Sequence, residues 1–248
     1  MEMSKTQIDK LGDRLKADKL TEPDLRLLSD YRLSFAACHE TVIAKLRDDL
    51  GLEPTGRPSK TTPSIVDKLR RESIRLSQVQ DIAGCRLIVR DIKEQEHIVV
   101  RVASLFDDVR IVDRRETPSH GYRAVHVVVK CDGKLIEVQV RTELQQVWAQ
   151  LCEKFADKYG QSLKYGQGDI ALRKLLTDVS QLMANMKSRE IQVNGMLLNL
   201  TKSDKTTLES HSEIDRRTKN VMQLKEGFDQ DRLEIIQKVR DLLQNFGS

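Results

Sequence analysis

At 248 residues the chain is long for one compact domain and short for three, so it should hold one core with appendages or two modest domains. Charged residues at 32% against 39% hydrophobic mark a soluble protein with a charge-rich surface. A 4% aromatic content with a single tryptophan, Trp148, argues against an aromatic platform for single-stranded nucleic acid. The net charge of +4, from 42 basic and 38 acidic residues, is too mild for wholesale nucleic-acid binding, so an anionic partner must be met by a local patch. No apolar run approaches the ~20 residues of a membrane span. The start, Met1-Glu-Met-Ser-Lys-Thr, lacks the apolar stretch of a signal peptide, and a cytoplasmic location without membrane partners is expected. Cys38, Cys85, Cys131 and Cys152 form no C-x-x-C pair; zinc would need paired spacing, and the simplest expectation is reduced thiols.

In chain order, Thr21 to Leu50 has a helical pattern, with Thr21 as cap and Pro23 just inside it, and Gly51 ends it. Residues 51–58 read as a loop, and Ser64 to Ser73 as a short basic helix. Cys85 to Arg90 is a strand, Ile92 to Leu105 a helix and Val109 to Asp113 a second strand. Tyr122 to Cys131 and Lys134 to Thr142 are two further strands joined by Asp132-Gly133, the strongest short hairpin signal. Glu143 to Tyr159 returns to helix. From Asp169 the chain is nearly all helical, with one apolar stripe of Leu175, Leu176, Val179, Leu182, Met183 and Met186. A second stripe holds Ile214, Val221, Leu224, Phe228, Ile235, Val239, Leu242 and Phe246. Residues 201–248 carry nine basic and nine acidic residues, so this tail has no net charge to attract an anion; it either binds a partner or a second copy, or packs on its own domain. The expected class is α+β: a small, partly antiparallel sheet flanked by helices. The division is an N-terminal helical segment over 1–50, a central domain over 51–165 and a C-terminal helical extension over 166–248.

Four clusters carry chemistry. Residues 57–75 hold six basic and two acidic residues, with Ser64, Lys68 and Arg71 at helical spacing, a face suited to a polyphosphate although a solvated face would look alike. Asp81-Ile-Ala-Gly84-Cys-Arg86 places an acid just before a buried strand, where a metal ligand is commonly found, and Gly84 permits close backbone approach. In His120-Gly-Tyr122-Arg-Ala-Val-His126, a strand would put Tyr122 and His126 on one face with Ala124 between them, a shelf for a flat base. In Glu137-Val-Gln139-Val-Arg141-Thr142 the polar residues alternate with Ile136, Val138 and Val140, which must face the core. Two carboxylates on different elements of one sheet, Asp81 and Glu137, suggest a magnesium site for phosphoryl-type transfer.

In order and spacing these clusters resemble the synthetase domain of the RelA/SpoT family, specifically its small alarmone synthetases. The resemblance covers about residues 57–165 and rests on Arg57-x-x-Lys60 with Ser64-Ile, Asp81-Ile-Ala-Gly-Cys-Arg86, Gly121-Tyr122-Arg-x-x-His126, Glu137-x-Gln139-x-Arg141-Thr142 and Trp148-Ala149. It implies a nucleotidyltransferase-like mixed sheet and transfer of pyrophosphate from ATP to the ribose 3′-hydroxyl of GDP or GTP, with release of AMP. By position Asp81 resembles the family's Mg2+-binding aspartate, and Glu137 the glutamate that assists the metal and is a candidate general base. Arg57 and Arg86 resemble the arginines that sandwich adenine, and Lys60, Ser64 and Lys68, with Arg71 beside them, the phosphate contacts. Tyr122 resembles the tyrosine that stacks on the acceptor guanine, with His126, Gln139 and Arg141 on the acceptor side.

The chain departs from the pattern in three places. The loop before Gly-Tyr is short, only Asp113 to His120, so that Arg114 and Arg115 would replace the usual phosphate-holding motif. Glu153-Lys154 stands where the family usually has Glu-His. Nothing resembles the hydrolase half of the bifunctional enzymes, and no His-Asp dipeptide occurs. The shortened loop leaves room for a toxin-like relative acting on the 3′ end of tRNA or on adenine nucleotides, paired with an antitoxin, and a catalytically dead nucleotide- or RNA-binding regulator is the other alternative. Small synthetases often assemble through terminal helices, which implies a homo-oligomer.

Overall fold

The computed structural model describes residues 3–203 and 211–245. The chain forms two compact units, the first made of Met1–Val89, Gln95–Asp113 and Val125–Val140, the second of Arg90–Glu94, Arg114–Ala124 and Arg141–Ser248.

The first unit begins with helices α1 (Lys5–Lys16), α2 (Glu22–Leu33) and α3 (Ala36–Asp48). Thr21 caps α2 in a reciprocal box with Asp24, as its position before Pro23 suggested. The single helix expected to Leu50 is broken at Ser34–Phe35. The Ser34 hydroxyl donates to the Tyr31 carbonyl at 2.7 Å and the chain turns, burying Phe35 edge-on to Tyr31 with ring centroids 5.3 Å apart. Gly51, at φ +65°, ends α3 as expected.

Strand β1 (Thr55–Arg57) lies where a loop was expected. It pairs antiparallel with β2 (Ala83–Val89), Arg57 opposite Gly84, and three residues are too few to show a period in sequence. Between them runs α4 (Thr62–Glu72), capped by Thr61, with Pro63 in its first turn and Ile65 and Leu69 buried. Helix α5 (Ile92–Ser104) leads to β3 (Val109–Asp113), then β4 (Val125–Cys131) and β5 (Lys134–Thr142), completing a mixed five-stranded sheet in the order β1-β2-β5-β4-β3.

The β4–β5 turn is the one the sequence announced: Asp132 and Gly133 both take left-handed backbone, φ +46° and +74°, fixing Cys131 opposite Lys134 and Val125 opposite Val140. That register puts Val125, Val127, Val129, Ile136, Val138 and Val140 into one core with Leu11, Leu46, Ile65, Leu69 and Ile82. Strand β4 starts three residues later than expected, at Val125. Tyr122 precedes it, in an isolated bridge with Ser119. The alternation argument for Tyr122 and His126 sharing a strand face therefore fails; Gly121 at φ +87° turns the chain before the strand.

The second unit contains α6 (Glu143–Tyr159), α7 (Ile170–Ser203) and α8 (His211–Asn245). Its core joins Trp148, Leu151 and Phe155 of α6 to Leu176, Val179, Met183 and Met186 of α7 and Phe228, Ile236 and Val239 of α8. The tail stripes are thus largely internal to this unit, with Leu182 and Leu224 exposed. The Ile214 side chain and Phe246 lie outside the described residues. Among the described residues no helix is long and apolar enough to cross a membrane.

Candidate active site

In the first unit the acid before β2 and the basic segment before and along α4 converge. The Lys60 amide donates to the Ile82 carbonyl at 2.7 Å, binding the stretch after β1 to the entry of β2. With that backbone held, Lys60 Nζ reaches Asp81 Oδ2 at 2.6 Å and Lys68 Nζ, from the buried side of α4, reaches Asp81 Oδ1 at 2.9 Å. The Arg57 guanidinium donates to the Asp81 carbonyl at 2.9 Å. Burial pushes the Asp81 carboxyl up, but the Lys60 and Lys68 ammoniums outweigh it and hold the group well below the usual carboxylate range. Lys60 is itself pulled below its ordinary value by burial, which Asp81 offsets only in part.

On the sheet, β5 carries Glu137 and Gln139, and β4 carries His126 opposite Gln139. Glu137 is buried. Its Oε1 meets His126 Nδ1 at 2.9 Å and its Oε2 accepts from Gln139 Nε2 at 2.6 Å. Burial raises this carboxyl; the His126 ring, by hydrogen bond and electrostatic attraction, and the Gln139 amide bring it down to about 2, against the repulsion of Asp81. Gly84 makes this proximity of strands possible: a Cβ there would lie 2.4 Å from the Glu137 carbonyl oxygen. Cys85, next to it, is an inert thiol, pushed up to about 12 by burial.

Three other predicted donors in this unit lie on α4 and β2. Ser64 is exposed on the first turn of α4 and accepts from the Thr61 hydroxyl at 2.8 Å. Arg71 pairs with Asp67 at 2.8 Å and Glu72 at 3.0 Å, on an exposed part of the helix. Arg86 is half-buried on β2, opposite Thr55.

In the second unit Tyr122 is half-buried and already engaged. The Arg141 guanidinium lies 5.0 Å from the centroid of its ring and donates to its hydroxyl at 2.9 Å, while donating to Gln146 Oε1, also at 2.9 Å. Trp148 lies behind, its ring centroid 6.4 Å from that of Tyr122. Gly121 is required twice over: its φ is positive, and a Cβ would come within 3.0 Å of Trp148 and 3.1 Å of Ser180. Ser180 Oγ in turn donates to the Gly121 carbonyl at 2.9 Å. Arg123 donates to the carbonyl of Arg115, and Arg114 is exposed. Gln146 and Ser180 were not foreseen as supports of Tyr122. Ser180 is 59 residues from Gly121, and no local pattern marks it.

Residues 56–162 match the sequence model of a family described as the region found in RelA / SpoT proteins. An uncharacterized protein of Mycobacterium tuberculosis is 37% identical over 113 residues, 44% of this chain and 41% of its own length. The chain thus spans about two fifths of that relative. The guanosine-3′,5′-bis(diphosphate) 3′-pyrophosphohydrolase of Aquifex aeolicus is 33% identical over 163 residues, 59% of this chain and 23% of that one. Among solved structures, small alarmone synthetase 1 of Bacillus subtilis superimposes with a TM-score of 0.50 at 25% identity, covering 72% of this chain and 100% of that chain. The same enzyme bound to its product pppGpp gives 0.52 at 24% identity, over 71% and 98%. The fold is thus shared along the whole of a small alarmone synthetase, and residues 56–162 are similar to the region found in RelA / SpoT proteins.

Proposed function

We propose that the protein transfers the pyrophosphoryl group of ATP to the ribose 3′-hydroxyl of GDP or GTP. The observation that carries this reading is the Asp81 cluster: a buried, ionised carboxylate clasped by two lysines and backed by an arginine. Such a cluster is a phosphate site held closed by its own acid. When a triphosphate enters, its oxygens can take over Lys60 and Lys68, and Asp81 is released for a cation.

Asp81 and Glu137 fit Mg2+ in kind. Both are held ionised, they lie close enough for the charge of one to oppose ionisation of the other, and Mg2+ usually takes only one or two carboxylates with the rest from phosphates and water. When bound, Mg2+ would supply charge neutralisation on the polyphosphate. The chain's own residues do the remainder. Lys60 and Lys68 grip the phosphates, Arg57 and Arg86 bracket the adenine, and Tyr122 with Arg141 behind it offers a base a firm ring edge or face. The 3′-oxygen attacks the β-phosphorus, the bond from that phosphorus to the α–β bridging oxygen breaks, and AMP leaves with that oxygen. The hydroxyl proton must go to a base. Glu137, held below the usual carboxylate range by the His126 ring and the Gln139 amide, suits the metal-holding role better, and water receives the proton.

The test is a transfer assay with γ-labelled ATP and Mg2+, offering GDP, GTP, ATP and bulk tRNA separately. Label on GDP or GTP supports the proposal. Label on tRNA or an adenine nucleotide keeps the donor site and assigns the short loop of residues 114–120 to a different acceptor. Binding of ATP with no transfer to any acceptor would make the protein a regulatory binder.

A further inference from the structure

Cys38 and Cys131 are 93 residues apart, yet the Cys38 thiol donates to the Cys131 carbonyl at 3.0 Å. The two Sγ atoms and a carboxylate oxygen of Asp132 all lie within 4.8 Å of one another. Among the described residues this is the one group of three or more His, Cys, Asp or Glu side chains so arranged. The fold imposes the meeting. The left-handed Asp132-Gly133 turn sets Cys131 and Asp132 side by side at the hairpin tip. Phe35, buried just before α3, carries Lys134 of the same hairpin 5.4 Å from its ring centroid, which seats the tip over the first turn of α3, where Cys38 lies.

The donor chemistry is specific. Two soft sulfurs and one carboxylate select a zinc-like cation over magnesium or calcium, which prefer oxygen throughout. Around a tetrahedral ion with metal–sulfur bonds of ~2.3 Å, neighbouring donors sit roughly 3.7 Å apart, so closure from the present separation needs only a small side-chain rotation. Burial is graded in the useful direction: Cys38 is buried, Cys131 half-buried and Asp132 exposed. The cluster therefore opens to water on one side, which gives an ion an entry path and a place for a water ligand.

We propose that Cys38, Cys131 and Asp132 bind a thiophilic divalent cation of the zinc class, with water as the fourth ligand. On binding, both thiols release their protons to solvent, two metal–sulfur bonds form, and nothing is oxidised or reduced. The ion would tie α3 to the β4–β5 hairpin, whose second strand carries Glu137 and Gln139. It would act as a structural clamp apart from the Asp81–Glu137 pair, and the proposal does not depend on the transfer activity.

Cobalt(II) is the probe. The full chain, purified reduced and stripped of metal, should bind one equivalent of Co2+ with tetrahedral visible bands and a near-ultraviolet thiolate charge-transfer band, both removed by Zn2+. Zn2+ should raise the Tm by about 4 °C or more. Cys131→Ser should abolish the charge-transfer band, and Asp132→Asn, which keeps the left-handed turn, should weaken binding at least ~10-fold. Cys85→Ser and Cys152→Ser should leave the spectrum intact. Cys131 and Asp132 carry the test because Cys38 is buried and its replacement risks the fold. No thiolate band at stoichiometric Co2+, or a band unchanged in Cys131→Ser, overturns the proposal. So does a chain whose Cys38 and Cys131 close into a disulfide in air but take no metal when reduced.

Discussion

Asp81 lies between two ammonium groups, and Asp81→Asn leaves Lys60 and Lys68, with 12% and 18% side-chain exposure, without the carboxylate between them; only Glu72, 3.9 Å from Lys68, remains beside the pair. Breaking such a pair should cost about 3 kcal/mol in urea unfolding and remove transfer by a factor of about 100 or more. Glu137→Gln should cost less, since an amide can still bond His126, while transfer falls as far. Full transfer by a folded Glu137→Gln protein would remove Glu137 from the mechanism. Both carboxyls are held below their unfolded values near 4, so the stability they add is fully present above about pH 5 and drains as the pH falls through the acid range toward their folded values. Urea midpoints taken between pH 6 and pH 3 should therefore fall more steeply for the parent protein than for Glu137→Gln; parallel curves would show that the carboxyl is not perturbed. Gly84→Ala tests the backbone beneath these groups. Its methyl would lie 2.4 Å from the Glu137 carbonyl oxygen, and the forced shift should cost about 1–3 kcal/mol and displace Glu137. A midpoint unchanged by that methyl would contradict the close approach.

Elements with strong local chemistry were legible in the sequence and those without it were not. The capped start of α2, the β4–β5 hairpin and the bounds of β5 and α6 follow from Thr21, Asp132-Gly133 and clean alternation. Strand β1 and the break between α2 and α3 depend on partners elsewhere: β2 for the first, the buried Phe35 for the second. The two long helices gave stripes but no statement of which stripe residues would be covered. In α8 that choice predicts a contrast. Phe228 is buried in the second core and Leu224 is 55% exposed, so Phe228→Ala should cost about 3–4 kcal/mol and Leu224→Ala less than about 0.5. Equal losses in thermal or urea unfolding would mean that α8 packs on a different face.

For the whole molecule, the expectation of assembly through terminal helices can be probed on α8. Ile235 is half-buried against the core of the second unit, so a charge there would disturb that core as well as any contact between copies, whereas Leu224 and Leu233 are exposed. Glutamate at both exposed positions should lower the mass seen by light scattering if α8 joins copies; an unchanged mass above that of a monomer would move the contact elsewhere. Composition, turn chemistry and the ordered motifs determined the class of the sheet, the core face of β5 and which acids and cations to watch, because each of these is written within a few neighbouring residues. Only the tertiary structure decided that Lys60 and Lys68 both close on Asp81, that Tyr122 stands outside β4 with Arg141 against its ring, and that Cys38 meets Cys131 and Asp132. The physical reason is the same in each case. These contacts are set by where distant segments are driven to bury their apolar faces, and the spacing of residues along the chain carries no record of that meeting.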